Sequence, residues 1–166
     1  MLDKKLYLLA ELDETSQLKI KEIEKIIIEN EFIGKQTKGI PYHITLCSFT
    51  IEMENFLKDL LENLNKKFKK INIKFSSLGL FGLKVLFMNP NMNIKLIEIY
   101  NFLKENSFEK DYGLSAHTTL IIDDPENIIK ILPKIVEKYE GLNGETKYIS
   151  LYEFFPVRFI KRIELL

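Results

Sequence analysis

The stretch PYHITLCSF, residues 41–49, is matched in outline by SAHTTLII, residues 115–122. Each contains the phrase His-x-Thr-Leu, which begins at His43 in the first and at His117 in the second, and the chain has no other histidine. Both are apolar, β-branched runs of the kind that form β-strands. Side chains two residues apart on a strand point to the same face, so each phrase presents an imidazole and a hydroxyl side by side. Two such strands facing each other would form a site with two imidazoles and two hydroxyls.

Strict alternation along each motif strand predicts which side chains line that site. In the first strand the site face would carry His43, Thr45, Cys47 and Phe49, and the opposite face Ile44, Leu46 and Ser48. In the second strand the site face would carry Ser115, His117, Thr119 and Ile121, and the opposite face Thr118, Leu120 and Ile122. Thr45 and Thr119 are therefore the expected hydroxyls, and Cys47 is expected to be a packed thiol.

The alternative to a functional site is that the histidines are ordinary packed residues. A single histidine on a strand is often a satisfied residue of the core or of a sheet edge. The same four-residue phrase around both histidines of the chain favours a shared site over two unrelated packed residues.

Composition limits the class of protein. The 166 residues are 46% hydrophobic and 29% charged, which is typical of a soluble globular chain. Lys plus Arg and Asp plus Glu are both 24, so the chain lacks the positive charge needed for a broad grip on long nucleic acid. The single cysteine, Cys47, excludes an internal disulfide framework. No apolar run has the length of a membrane span and the N-terminus lacks a signal-peptide layout, so we expect no membrane association and a cytoplasmic location.

Hydrophobic periodicity divides the chain into alternating strands and helices without a linker. We predict strands at residues 5–11, 41–49, 71–81, 83–88, 115–122, 147–155 and 157–166. We predict helices at residues 13–30, 53–68, 94–108 and 125–139, the last one bent or restarted at Pro133.

The predicted elements repeat with the spacing of the histidines, which is 117 − 43 = 74 residues. Each half reads strand, helix, motif strand, helix, strand, which indicates a duplicated lobe. The sequence therefore predicts one α+β domain over residues 1–166. It would have two pseudo-twofold-related lobes, each a mainly antiparallel sheet packed by helices, with a central cleft between the motif strands.

The paired residues suit phosphoester chemistry. Cleavage of a phosphodiester needs a base to activate the nucleophile and an acid to protonate the leaving oxygen, and imidazole can do both near neutral pH. Threonine hydroxyls can donate hydrogen bonds to the non-bridging oxygens as charge develops there. Two histidines without a nearby acidic cluster are a poor metal site, so we expect neither a metal nor another cofactor.

Three further residues are candidates for substrate contacts. Tyr42 and Tyr152 could stack on a base, although aromatic residues on strands more often belong to the core. Arg158, one of two arginines, follows the turn at Pro156 and could contact a phosphate.

Two His-x-Thr-Leu phrases about 75 residues apart in a duplicated α+β frame resemble the two-histidine (2H) phosphoesterase superfamily. This superfamily includes bacterial 2′-5′ RNA ligase-like proteins and plant-type cyclic phosphodiesterases. The resemblance spans essentially the whole chain and implies a bilobal fold with its site in the central cleft. It also implies that His43 and His117 are the acid/base pair and that Thr45 and Thr119 bind the substrate phosphate.

The resemblance implies action on 2′,3′-cyclic phosphates or 2′-5′ linkages of nucleotides or RNA ends, by hydrolysis or in a ligase-like reaction. The alternative is a module that binds a nucleotide or an RNA end with little or no turnover. A third interpretation is a small structural domain in which the histidines are incidental. No protein partner is predicted, and we expect a monomer.

Overall fold

The computed structural model describes residues 4–29, 39–105 and 113–166. Its helices are α1 (Glu14–Glu29), α2 (Glu54–Lys67), α3 (Ile94–Glu105) and α4 (Pro125–Lys138), and a 3₁₀ turn (Ile51–Met53) precedes α2. Its strands are β1 (Lys5–Leu12), β2 (His43–Thr50), β3 (Ile71–Phe81), β4 (Val85–Pro90), β5 (Thr118–Ile122), β6 (Leu142–Phe154) and β7 (Arg158–Glu164). The predicted α+β class and element order are confirmed. None of the described helices is long and apolar enough to cross a membrane.

All seven strands belong to one antiparallel sheet of order β2-β1-β6-β3-β4-β5, in which β7 also pairs with β6. If β1, β2 and β3 are exchanged with β4, β5 and β6, this order maps onto itself in reverse. The strand order therefore has the twofold relation that the sequence repeat suggests.

The two expected sheets are joined because each half gives its third strand to the other half. Strand β3 pairs with β4 of the second half, and β6 pairs with β1 of the first. The two exchanged strands then pair with each other, Ile71–Phe75 opposite Leu142–Thr146. This central pairing turns the two expected sheets into one hydrogen-bonded sheet.

A β-bulge interrupts both motif strands at the leucine of the shared phrase. In the pairing of β1 with β2, Leu8 faces Cys47 and Leu9 faces Thr45, so Leu46 has no partner. In the pairing of β4 with β5, Leu86 faces Ile121 and Phe87 faces Thr119, so Leu120 has none. An extra residue in one strand reverses the alternation of its side chains beyond that point.

The bulges correct four of the predicted side-chain directions. Cys47 and Phe49 are buried in the core, on the side opposite His43 and Thr45. In the second strand Ile121 is fully buried, and Ile122 lines the same cavity as Thr119. The prediction failed because strict alternation assumes an uninterrupted strand, whereas each bulge inserts one residue.

The helices cover one face of the sheet, which we call the helix face, and the two motif threonines lie on the other, the histidine face. Leu6, Leu8, Ala10 and Leu12 of β1 point into the helix-covered core, whereas Tyr7, Leu9 and Glu11 alternate onto the histidine face. The predicted restart of α4 at Pro133 does not occur. Its buried stripe of Ile128, Ile131 and Ile135 spans Pro133 and keeps one continuous helix.

Asp13 and Ser16 tie the start of α1 to the centre of the sheet. The Asp13 carboxylate accepts hydrogen bonds from the backbone N–H (3.0 Å) and the hydroxyl of Ser16, which is an N-cap arrangement. The Ser16 hydroxyl also accepts a hydrogen bond from the Glu145 N–H, at 3.1 Å. Gly144, which pairs with Ile73 at the middle of the central strand pair, leaves the space that this contact needs.

We expect Gly144→Ala to destabilise the fold. The added Cβ would lie 2.6 Å from the Ser16 Oγ, so the cost should be about 1–3 kcal/mol in a denaturant titration. The same substitution in a Ser16→Ala background should cost less, because the clashing oxygen is gone. An equal cost in both backgrounds would contradict this account.

Candidate active site

The two histidines are held in the same way at the start of their strands. His43 is the first residue of β2 and His117 immediately precedes β5. His43 Nδ1 lies 2.7 Å from the carbonyl oxygen of Pro41, and His117 Nδ1 lies 2.6 Å from that of Ser115. A carbonyl only accepts hydrogen bonds, so Nδ1 carries the proton in both rings. In each neutral imidazole Nε2 is therefore the basic nitrogen.

The backbone that leads into His43 is fixed by a side chain of α1. The Gln17 amide accepts a hydrogen bond from the Tyr42 N–H at 2.8 Å and donates one to the Tyr42 carbonyl at 2.8 Å. The Leu12 N–H donates to the same carbonyl at 3.1 Å. These contacts fix the two peptide groups on either side of Tyr42. They therefore also fix the Pro41 carbonyl, which orients the His43 ring.

A cavity of about 240 Å³ is bordered by His43 of the first motif and Thr119 of the second, but not by Thr45 or His117. Its lining residues are Ile40, Pro41, Tyr42, His43, Thr119, Ile122, Phe154 and Phe155. The two motif strands lie at opposite ends of the strand order, yet β2 and β5 are in contact. The sheet must therefore curve strongly, so that His43 of one motif and Thr119 of the other border the same space.

The environments of the two histidines differ. Desolvation by burial lowers the pKa of His43, and the charge of His117 lowers it further, against the opposing effect of the Pro41 carbonyl. His117 instead packs against two phenylalanines. Its ring centroid lies 4.7 Å from that of Phe81 and 5.3 Å from that of Phe87. Gly79 permits this packing, since a Cβ there would lie 2.4 Å from the Phe87 ring.

The structure brings some of the predicted site residues together. His43, Thr119 and Tyr42 line the cavity, and burial raises the pKa of the Tyr42 hydroxyl. Thr45 is half-buried and, being two residues from His43 and before the bulge, lies on the same face. Thr118 is fully buried on the opposite face.

Tyr152 and Arg158 do not line the cavity. Tyr152 is on the histidine face but only 4% exposed, packed against Phe154 and Phe159. Arg158 is on the helix face, where its guanidinium contacts Glu54 at 2.6 Å and Glu153 at 2.5 Å. Its charge is therefore neutralised by two carboxylates, on the side of the sheet opposite the motif threonines.

Sequence reasoning missed three residues on or beside the site: Phe154, Glu11 and Arg162. Phe154 is the last residue of the long strand β6 and was indistinguishable from core residues. Glu11 did carry a signal, since it is an acidic residue near the end of the otherwise apolar segment LYLLAEL. In the pairing of β1 with β2, Glu11 lies opposite His43.

The acidic residues that follow the second motif lie at the start of α4. Asp123 Oδ1 accepts hydrogen bonds from the Asp124 N–H at 2.7 Å and from the Asn127 amide at 3.0 Å, next to the first turn of that helix. Among the residues that the structure describes, no group of three or more His, Cys, Asp or Glu side chains is arranged to hold a metal ion.

The fold is that of solved phosphoesterase structures. A protein described as a phosphoesterase matches with a TM-score of 0.61 and 17% identity, and 98% of each chain is covered. Escherichia coli LigT in complex with 3′-AMP matches with a TM-score of 0.57 and 16% identity over 98% of each chain. The protein TT0787 of Thermus thermophilus matches with a TM-score of 0.65 and 13% identity over 97% of each chain. No protein-family model and no curated protein sequence matches this chain.

We expect His43 to titrate below the ordinary range of a histidine. Because burial disfavours the charged imidazole, the NMR signal of His43 should titrate with a midpoint below 6.5. Since the His117 charge contributes, His117→Gln should raise the His43 midpoint. With only two histidines in the chain, His43→Gln and His117→Gln assign both signals. A His43 midpoint at or above 6.5 in the unmodified protein would contradict the described burial.

Proposed function

We propose that this chain is a metal-independent 2H phosphoesterase that opens 2′,3′-cyclic phosphates or cleaves 2′-5′ linkages of nucleotides or RNA ends. The observation that carries the proposal is the matched orientation of the two histidines, each with Nδ1 bound to the carbonyl two residues before it. The similarity in fold supports it, because LigT has been solved with 3′-AMP, ATP, NADP+ and phosphate.

The reaction needs one neutral and one protonated imidazole. The lowered pKa of His43 keeps its Nε2 unprotonated near neutral pH, so we assign it as the base. It takes a proton from water as the water oxygen bonds to phosphorus. His117, protonated on Nε2, gives its proton to the ribose oxygen as the phosphorus–oxygen bond breaks. The product is a nucleoside 2′- or 3′-monophosphate, and the protons taken up and released balance.

The threonines and the cavity wall have separate roles in this scheme. The hydroxyls of Thr45 and Thr119 would donate hydrogen bonds to the non-bridging oxygens, where negative charge increases in the transition state. The aromatic and aliphatic side chains around His43, among them Phe154 and Phe155, form an apolar wall suited to a nucleobase.

Phosphorus NMR of a 2′,3′-cyclic nucleotide tests the reaction. With EDTA present, we expect a new monophosphate signal from the unmodified protein. Loss of either acid/base partner in His43→Gln or His117→Gln should slow turnover by about 10²–10⁴-fold, and kcat/KM should show a bell-shaped pH profile. Full activity in either variant would overturn the mechanism. The binding-module alternative would be favoured if the protein binds the nucleotide saturably but forms no product from either the 2′,3′-cyclic nucleotide or a 2′-5′-linked dinucleotide.

The cavity threonine can be tested by a substitution that preserves shape. Thr119→Val removes the hydroxyl of a residue that lines the cavity together with His43. We expect kcat to fall by roughly 10–10³-fold with a smaller change in KM, because the lost hydrogen bond strengthens in the transition state. Thr50→Val, at the exposed end of β2, is the matched control and should retain activity. Unchanged kcat in Thr119→Val would remove Thr119 from the mechanism.

A further inference from the structure

An ion pair between a buried carboxylate and a partly exposed guanidinium lies on the histidine face, one strand away from His43. Glu11 of β1 is opposite His43 on one side and opposite Tyr148 of β6 on the other. Residues directly opposite in an antiparallel pair point to the same face. Arg162 of β7 lies opposite Ser150 of β6, which in turn lies opposite Leu9 of β1. The Arg162 side chain therefore extends across β6 towards β1, and its Nη2 lies 2.7 Å from Glu11 Oε2.

Arg162 is held from several directions but remains open to solvent. Its Nε donates a hydrogen bond to the Ser150 hydroxyl at 3.3 Å. The guanidinium carbon lies 5.2 Å from the ring centroid of Tyr148 and 5.8 Å from that of Phe159. The Arg162 side chain is 37% exposed, whereas that of Glu11 is 1% exposed. The guanidinium is thus oriented by two buried partners, Glu11 and Ser150, and part of it faces solvent.

The pair has no evident role in stability. Taking a carboxylate out of water costs free energy that one ion pair often fails to recover, and apolar residues of the same volume commonly serve as well. Glu11 Oε1 is buried without a hydrogen-bond partner of its own among the described residues, while the Tyr152 hydroxyl interacts with both Glu11 and Arg162. A fixed arginine close to a phosphoester site is, by contrast, well suited to bind an anion.

We propose that Arg162 binds a second phosphate of the substrate, next to the one between the two histidines, and that Glu11 is its positioning residue. This inference rests on the proposed function and narrows its substrate class. Strands in a sheet are about 4.8 Å apart, so a guanidinium anchored on β1 lies one to two strand spacings from His43. A neighbouring phosphate of the same nucleotide strand falls within that range. The preferred substrate is then an RNA end or a nucleotide with a 5′-phosphate, and not a nucleoside cyclic phosphate alone.

Other nearby charges differ from Arg162 in ways that provide a control. Lys161 is the next residue of β7 but points to the helix face, where its ammonium contacts Glu62 at 2.5 Å and the Lys58 carbonyl at 3.1 Å. Glu164 shares the face of Arg162, and Lys147 at 3.7 Å and Lys70 at 4.0 Å offset its charge. Lys161→Met therefore removes the same charge from the same strand without altering the histidine face.

Binding of product analogues tests the proposal without requiring turnover. Calorimetry with a nucleoside 3′-monophosphate and with the 3′,5′-bisphosphate should show tighter binding of the bisphosphate, by about 10-fold or more. In Arg162→Met this preference should disappear, whereas in Lys161→Met it should persist. If the unmodified protein binds both ligands equally, or if Arg162→Met keeps the preference, the proposal is overturned. Failure to bind either ligand would overturn the proposed function as well.

Two further variants separate binding from folding. Glu11→Gln/Arg162→Met leaves no unpaired buried charge, so it controls for instability of the single variants, and it too should lose the bisphosphate preference. Glu11→Gln alone should weaken the preference, because the guanidinium loses its anchor. Kinetics should compare a 2′,3′-cyclic nucleotide with and without a 5′-phosphate. We expect Arg162→Met to raise KM for the 5′-phosphorylated substrate and to leave the kinetics of the other substrate unchanged. Equal losses for both substrates would show a structural role instead.

Discussion

The pairing of Ile71–Phe75 with Leu142–Thr146 is the interaction on which the rest of the structure depends. It places the two exchanged strands side by side, and each of them carries one half of the sheet. Because every neighbouring strand is bonded outward from this pair, its register sets the position of both motif strands. The contact of β2 with β5, and so the meeting of His43 and Thr119 at one cavity, results from how the sheet curves around that centre.

Local chemistry in the sequence was enough to predict the elements and the paired motif. Apolar periodicity is a local property, so the four helices and the seven strands were predicted in their observed order. The strand predicted at residues 147–155, however, begins at Leu142 and thus omitted the segment that forms the central pairing. The duplicated His-x-Thr-Leu phrase predicted two histidines in equivalent settings, and both rings are held by the carbonyl two residues before them. Those features depend only on residues that are near each other in the chain.

Features that depend on partners distant in the chain were not predictable. The bulges at Leu46 and Leu120 are visible only when the opposing strand is known. They reversed the expected direction of Cys47, Phe49, Ile121 and Ile122. Deciding which of the two arginines lies on the histidine face also required knowledge of the opposing strand. Arg158 and Arg162 are both on β7, but a bulge between them in the pairing with β6 helps to place them on opposite faces of the sheet.

The exchange of third strands has a consequence for how such a chain could originate. Two separate copies of one half, each lending its last strand to the other, would complete both sheets as a strand-swapped homodimer. In that ancestor the two histidines would have been identical by symmetry. Fusion into one chain removes that constraint, and here His43 is desolvated while His117 packs against Phe81 and Phe87. Gene fusion thus permits a division of labour between acid and base that a symmetric dimer cannot maintain.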